Sequence, residues 1–126
     1  MSISLNHTIV WSRDKRVSAT FLAELLGTAA PVPFGPFFTV RVDNDVTLDF
    51  SDAEEGKIAW QHYAFLVGDK EFDEIFSRIQ SRRLTYWADP MHQQPMKITT
   101  RDGGRYVYFE DPSGHNMEIL TRPYGP

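Results

Sequence analysis

The sequence predicts an α+β domain built from two similar βαβββ modules, and an internal repeat is the main observation behind this prediction. His7 lies in a strand-like run seven residues before Asp14, and His62 lies in a similar run seven residues before Asp69. An amphipathic helical pattern follows each aspartate. Each half then ends in a strand with a carboxylate between apolar residues, Leu48-Asp49-Phe50 and Met117-Glu118-Ile119. Such self-similarity indicates duplicated structural units.

Size and composition suit one small domain. The chain has 126 residues, 41% of them hydrophobic and 13% aromatic, which is enough to bury a core. We expect a first module at about residues 1–55 and a second at about 56–126. The net charge of −4, without a basic stripe, argues against nucleic acid as a partner. The chain has no cysteine, so any metal must be held by histidine, aspartate or glutamate.

The sequence also favours a soluble, cytoplasmic protein with no membrane partner. No apolar run approaches the roughly 20 residues that a membrane-spanning helix needs. The first residues, MSISLNHTIVW, are too polar for a signal peptide.

The first module opens with a predicted strand, Leu5–Trp11, whose alternation places His7, Ile9 and Trp11 on one face. Asp14 is suited to cap the following helix, and Gly27 is suited to end it in the left-handed conformation. The apolar residues at helical spacing are Val17, Phe21, Leu22, Leu25 and Leu26. A loop at Thr28–Pro36 and a hairpin follow, with strands at Phe37–Val42 and Val46–Phe50 around a turn at Asp43-Asn44.

The second module repeats this order with a longer connection. Gln61–Val67 reads as a strand, and Asp69 is suited to cap an amphipathic helix that carries Phe72, Ile75, Phe76 and Ile79. Short strands are predicted at Tyr86-Trp87 and Met96–Thr100. The extra length of this module is expected in the proline-containing loop Asp89–Pro95, where His92 has no predicted role.

The stretch Arg105–Thr121 has the sequence pattern of a β-hairpin. Asp111-Pro112-Ser113-Gly114 has turn chemistry, and we expect the next residue, His115, to belong to the turn rather than to a site. Glu118 lies among the apolar residues of the returning strand. Burying an ionised carboxylate is costly unless it is paired or binds a metal. Glu118 therefore requires a partner.

Duplicated modules related by a pseudo-two-fold axis would bring equivalent strands together. His7 and His62 form one equivalent pair, and Asp49 and Glu118 form the other. Neutral imidazole with carboxylate suits a borderline divalent metal, and two histidines with one carboxylate leave positions open for water or substrate. A simpler interpretation is that the histidines bond to backbone groups and that Glu118 pairs with Arg101, Arg105 or Arg122, while Asp49 faces solvent.

The chain resembles the vicinal oxygen chelate (VOC) superfamily, which includes glyoxalase I, extradiol dioxygenases, and fosfomycin- and bleomycin-resistance proteins. The matching segments are Leu5–Val10, His62–Val67 and, most specifically, Tyr108–Ile119. The resemblance implies the fold of that family, two βαβββ modules forming a curved mixed sheet around a central cavity. It also implies a divalent metal (Fe, Mn, Zn or Ni) bound by His7, His62 and Glu118.

The resemblance makes Asp49 a candidate fourth metal ligand. If it is not a ligand, it is the candidate general base, because a carboxylate near the metal can transfer a proton. Glu118 and Asp49 are therefore the candidate catalytic carboxylates. Tyr106 and Tyr108 share a face with Glu118 across a regular hairpin, so they are candidates to line the substrate pocket. Trp11, on the face of His7, is a third candidate.

The implied function is that of a metal-dependent enzyme, a glyoxalase-like lyase or isomerase or a dioxygenase, whose small-molecule substrate binds the metal through adjacent oxygens. The alternatives are a metal-free binding protein of the bleomycin-resistance type and a thiol transferase of the fosfomycin-resistance type. Superfamily members of this size commonly dimerise, so a homodimer is expected. In a dimer, His7 and Glu118 can belong to one chain or to different chains.

Overall fold

The computed structural model describes residues 2–55 and 57–124. Met1, Gly56, Gly125 and Pro126, which include the expected start of the second module, lie outside the described residues. The chain divides into two compact units, Met1–Ala59 and Trp60–Pro126. None of the described helices is long and apolar enough to cross a membrane.

The first unit has the predicted βαβββ order. Its elements are β1 (His7–Ser12), α1 (Lys15–Leu26), β2 (Val32–Phe34), β3 (Phe37–Arg41) and β4 (Thr47–Asp52). They form a mixed sheet of order β1-β4-β3-β2, in which β1 and β4 run parallel. The predicted loop at Thr28–Pro36 therefore contains a strand. Pro33 is tolerated there because β2 lies at the sheet edge. No strand on its outer side requires a hydrogen bond from the N–H that proline lacks.

Helix α1 begins and ends where its sequence predicts. The Asp14 side chain accepts hydrogen bonds from the backbone N–H groups of Arg16 and Val17. Gly27 ends the helix with φ of 79°, which only glycine adopts without strain. The predicted apolar face is wrong in part, because Val17 is 54% exposed. The helix instead buries a narrower, smaller-residue face that allows close approach to the sheet: Ser18, Ala19, Leu22, Ala23 and Leu25.

The second unit repeats this plan with one additional short strand. Its elements are β5 (His62–Leu66), α2 (Asp69–Ser81), β6 (Tyr86–Trp87), β7 (Thr99–Arg101), β8 (Gly104–Glu110) and β9 (Asn116–Leu120). The sheet order is β5-β9-β8-β6, with β7 also paired to β8, and β5 runs parallel to β9. Helix α2 starts one residue earlier than expected: Gly68 is its N-cap, and Asp69 lies in the first turn.

Helix α2 is held on its sheet by an apolar face and one arginine. Phe72, Ile75 and Ile79 are buried. The Arg105 guanidinium lies 4.4 Å from the centroid of the Phe72 ring and donates to Asp73 at 2.6 Å. This arrangement leaves the other face of the second sheet, which carries Glu118, free of the helix.

Candidate metal centre

Glu118 lies on β9, a central strand of the second sheet. Its register partners are Ala64 on the parallel strand β5 and Tyr108 on the antiparallel strand β8. Its side chain is fully buried, as the apolar pattern around it predicts. The requirement for a polar partner is therefore real, because water does not reach this carboxylate.

The Glu118 carboxylate is satisfied on one oxygen only. Oε1 lies 3.0 Å from Nε2 of His62 and 2.9 Å from the hydroxyl of Tyr124. Oε2 is buried and has no hydrogen-bond partner among the described residues. A buried carboxylate oxygen without a donor, beside an imidazole, fits a bound divalent cation, because a cation supplies the missing positive charge.

The register explains why His62 reaches Glu118. His62 pairs with Asn116, two residues before Glu118, so the alternation of both strands places the two side chains on the same face. The imidazole is about one third exposed, whereas Glu118 is inaccessible. His62 thus connects the buried Glu118 carboxylate to β5 at the sheet edge, where solvent or a ligand can reach the imidazole.

The first unit has the same strand register, with an aspartate where the second unit has a glutamate. His7 pairs with Thr47, two residues before Asp49, as His62 does relative to Glu118. His7 is exposed, and its Nδ1 lies 2.8 Å from Oδ1 of Asn6. Asp49 is only 6% exposed, and its Oδ1 has no hydrogen-bond partner among the described residues. The solvent-facing interpretation of Asp49 is therefore wrong, because β4 lies between β1 and β3 and their side chains cover it.

Trp11 lies on the face of the first sheet that carries His7, as predicted. It is 46% exposed, and Ile9 between the two is 39% exposed. Large apolar side chains on an open face suit contact with a partner or an apolar ligand. The role of Trp11 in a substrate pocket stays a prediction.

The complete metal site also stays a prediction. Within residues 2–55 and 57–124 of one chain, no group of three or more histidine, aspartate and glutamate side chains is placed to hold a metal ion. Of the predicted ligands, His62 and Glu118 are in direct contact in the second unit. His7 belongs to the first unit.

Two tyrosine hydroxyls surround the Glu118 carboxylate. Tyr108 lies opposite Glu118, and its ring centroid is 5.9 Å from that of His62. Burial raises the pKa of Tyr108, and its hydrogen bond with Tyr124 and the Glu118 charge raise it further. Burial also raises the pKa of Tyr124. Both phenols therefore remain protonated at neutral pH, so each keeps a hydrogen to donate.

Tyr106 shares this face, as predicted, with its ring fully buried. Its hydroxyl has no hydrogen-bond partner among the described residues. An unsatisfied hydroxyl is costly in the interior, and this one lies close to Gly104 at the start of β8. The ring also contacts Tyr124 edge-on, with centroids 5.7 Å apart.

Sequence reasoning missed two parts of this site. Tyr124 follows the last strand, where no periodic pattern predicts which way a side chain points. His92 had no assigned role, yet its ring stacks on Trp87 at 3.7 Å and its Nε2 lies 2.8 Å from Oδ1 of Asn116. The short Trp87 strand and the loop after it were the available signals, but they do not predict that the loop folds back.

Comparison with known proteins places the chain in a superfamily. No family model matches it. A glutathione transferase FosA from Serratia marcescens is 29% identical over 122 residues, covering 92% of this chain and 79% of the relative. The structure of the oxidase ChaP-H1 is 62% identical and has a TM-score of 0.95, covering 99% of this chain and 100% of that one.

More distant structures share the fold. A glyoxalase/dioxygenase from Nostoc punctiforme matches with a TM-score of 0.71 at 22% identity, over 96% of this chain and 92% of that one. This likeness shows a shared fold. The chain belongs to the vicinal oxygen chelate superfamily and has its α+β fold.

Proposed function

We propose that this protein is a divalent-metal-dependent oxidase whose small-molecule substrate carries two adjacent oxygens. The observation that carries the proposal is the 62% identity with the oxidase ChaP-H1 across essentially the whole of both chains. The buried Glu118 carboxylate, which has one unsatisfied oxygen and lies beside His62, supports the binding of a metal ion by this protein.

His7, His62 and Glu118 are the residues that would hold the metal. When bound, a divalent ion supplies Lewis acidity and a template for two adjacent substrate oxygens. The carboxylate provides the charge and the imidazoles provide neutral nitrogen ligands, a set that borderline divalent metals accept.

The surrounding side chains suit a planar, aromatic substrate. Tyr108 and Trp87 are register partners on the Glu118 face, and Tyr108 itself lies beside His62. Aromatic surfaces bind flat ring systems by stacking and by apolar burial. The protonated hydroxyl of Tyr108 can donate to a substrate oxygen, which orients the ring relative to Glu118.

Asp49 is proposed as the general base. Its buried Oδ1 has no hydrogen-bond donor among the described residues, so it is available to take a proton from a substrate hydroxyl. We also propose that the protein works as a homodimer. In one arrangement His7 and Asp49 of one chain serve the His62–Glu118 pair of the other.

The second candidate function is thiol transfer, favoured by the 29% identity with FosA over 92% of this chain. A transferase of this type acts on a small substrate with glutathione and consumes no oxygen. A metal-free binding protein of the bleomycin-resistance type is the third possibility, and it would leave the unsatisfied oxygen of Glu118 unexplained.

Oxygen consumption separates these functions. The purified protein is loaded anaerobically with Fe²⁺, Mn²⁺, Ni²⁺ or Zn²⁺ and mixed with aromatic compounds that carry adjacent hydroxyl or hydroxyl and carbonyl groups. Oxygen uptake and product mass that depend on added metal support the oxidase. Turnover of fosfomycin with glutathione, and no oxygen uptake with any compound, would favour the transferase. Absence of stoichiometric metal after reconstitution would favour the binding protein.

A further inference from the structure

The starting observation is an asymmetry in how Glu118 is held, and the inference rests on the proposed metal-dependent function. Oε1 has two neighbours, Nε2 of His62 and the Tyr124 hydroxyl, whereas Oε2 has none among the described residues. A carboxylate with one oxygen fixed by donors presents the other oxygen in a defined direction.

The bond from His62 is not compatible with metal binding. A histidine nitrogen either carries a hydrogen to donate or offers its lone pair to a metal, but not both. If Nε2 of His62 binds the ion, it no longer donates a hydrogen bond to Oε1 of Glu118. The Tyr124 hydroxyl then remains as a donor to Oε1.

Tyr124 is 52% exposed, but two neighbours contact its ring although it follows the last strand. Tyr106 contacts it edge-on at 5.7 Å, and the Arg101 guanidinium lies 5.3 Å from its centroid and 4.8 Å from that of Tyr106. The chain that leads to Tyr124 is tied to β8, because Thr121 exchanges backbone and side-chain hydrogen bonds with Arg105. The hydroxyl is therefore positioned by packing as well as by its bond to Glu118.

We propose that Tyr124 is a positioning residue of the metal site, which holds Oε1 of Glu118 so that Oε2 is the atom that binds the ion. Partners of this kind orient metal ligands and restrict their coordination. Without the Tyr124 hydroxyl, Oε1 becomes free to turn toward the metal. The carboxylate then binds the metal through two oxygens instead of one. The entropy lost in ordering its side chain weakens metal binding.

The test uses Co²⁺ as the probe metal, since its visible absorption reports coordination number. The full chain is compared as wild type, Tyr124→Phe and Tyr86→Phe. The phenylalanine at position 124 keeps the ring contacts and removes only the hydroxyl. Tyr86 is the control, because its ring packs on Phe76, away from Glu118, and its substitution also removes one phenol hydroxyl.

We expect Tyr124→Phe to weaken Co²⁺ binding by about 10- to 100-fold in a chelator competition and to lower the intensity of the visible bands, as a higher coordination number does. Tyr86→Phe should match wild type in both measurements. Arg101→Gln, which removes the cation from the Tyr124 ring, should weaken binding in the same direction by a smaller factor.

The outcomes separate this inference from the proposed function. If wild type binds Co²⁺ stoichiometrically and Tyr124→Phe has the same affinity and spectrum, Tyr124 is not a positioning residue, whereas the metal-dependent function stands. If wild type binds no Co²⁺, both fail. Equal thermal stability of the metal-free wild type and Tyr124→Phe confirms that a change in binding does not reflect unfolding.

Discussion

Nε2 of His62 lies 3.0 Å from Oε1 of Glu118, although 56 residues separate the two along the chain. The contact follows from the parallel pairing of β5 and β9, which aligns His62 with Asn116. The same two-residue offset relates His7 and Asp49 in the first unit. The repeat is therefore a repeat of register as well as of element order.

The first prediction concerns the charge on Glu118. Glu118→Gln keeps the size of the side chain and the acceptor at Oε1 but removes the negative charge. We expect divalent metal affinity to fall by more than about 100-fold, since a ligand matters at least as much as its supporting partners. Isothermal titration with Co²⁺ measures this. Glu110→Gln, at the exposed end of β8, is the control and should bind normally; equal loss in both variants would contradict a specific role for Glu118.

The second prediction tests whether one site uses two chains. His7→Ala and Glu118→Gln are each expected to abolish metal-dependent activity. In a mixed dimer of the two variants, a site shared between chains leaves one of two sites intact, so about half of the wild-type metal content and activity should return. Differently tagged subunits allow the mixed dimer to be purified. No recovery in a verified mixed dimer would show that each site lies within one chain.

The third prediction separates the two roles considered for Asp49. As a general base, Asp49→Asn should lower the rate of oxidation by about 10²- to 10⁴-fold. Bound metal should remain near its wild-type content, because the ligands are unchanged. Elemental analysis and oxygen uptake measure the two quantities. Loss of metal from Asp49→Asn would instead identify Asp49 as a ligand.

The fourth prediction concerns Asp111, which is buried in the turn between β8 and β9. Burial raises the pKa of Asp111 above its ordinary value of 3.8, although the N–H and the charge of His115 act in the opposite direction. The folded state therefore binds this proton more tightly than the unfolded state. The resulting stability is present below pH 3.8 and is lost as the pH rises through the raised pKa.

Asp111→Asn should remove this dependence, because the amide oxygen still accepts from the N–H groups of Ser113 and His115 and carries no charge. Urea unfolding at several pH values from acid to neutral measures the free energy of unfolding. We expect the stability of wild type relative to Asp111→Asn to fall as the pH rises, whereas Asp43→Asn, an exposed turn substitution, should follow wild type. A relative stability that rises across the same range would contradict the sign.

The fifth prediction concerns the packing of Tyr106 on Gly104. A Cβ at Gly104 would lie 2.9 Å from the Tyr106 hydroxyl and 3.0 Å from Cβ of Arg122. Gly104→Ala should therefore lower the free energy of unfolding by about 1 to 3 kcal/mol, the usual cost of overpacking. Adding Tyr106→Phe removes one of the two close contacts and should recover part of that loss in a double-mutant cycle. Strictly additive effects of the two substitutions on the free energy of unfolding would show that Gly104 does not position Tyr106.

Much of the site's local arrangement was predictable, because strand alternation is a short-range rule. The shared face of Tyr108 and Glu118 followed from a regular hairpin, and the structure confirms it. The capping role of Asp14 followed from its place before an apolar helical pattern. The buried face of α1 was less predictable, since small residues such as Ala19 and Ala23 carry little hydrophobic signal but pack closely.

The amino-acid sequence by itself determined the two-module α+β fold, the repeated histidine and carboxylate positions, and the burial of Glu118. These features depend on periodicity and turn chemistry, which act over a few residues. Only the tertiary structure decided that His62 and Tyr124 share one oxygen of Glu118 while the other has no donor among the described residues. That outcome depends on strand pairing and on how the chain folds back after β9, because contacts between distant residues are set by packing and not by local pattern.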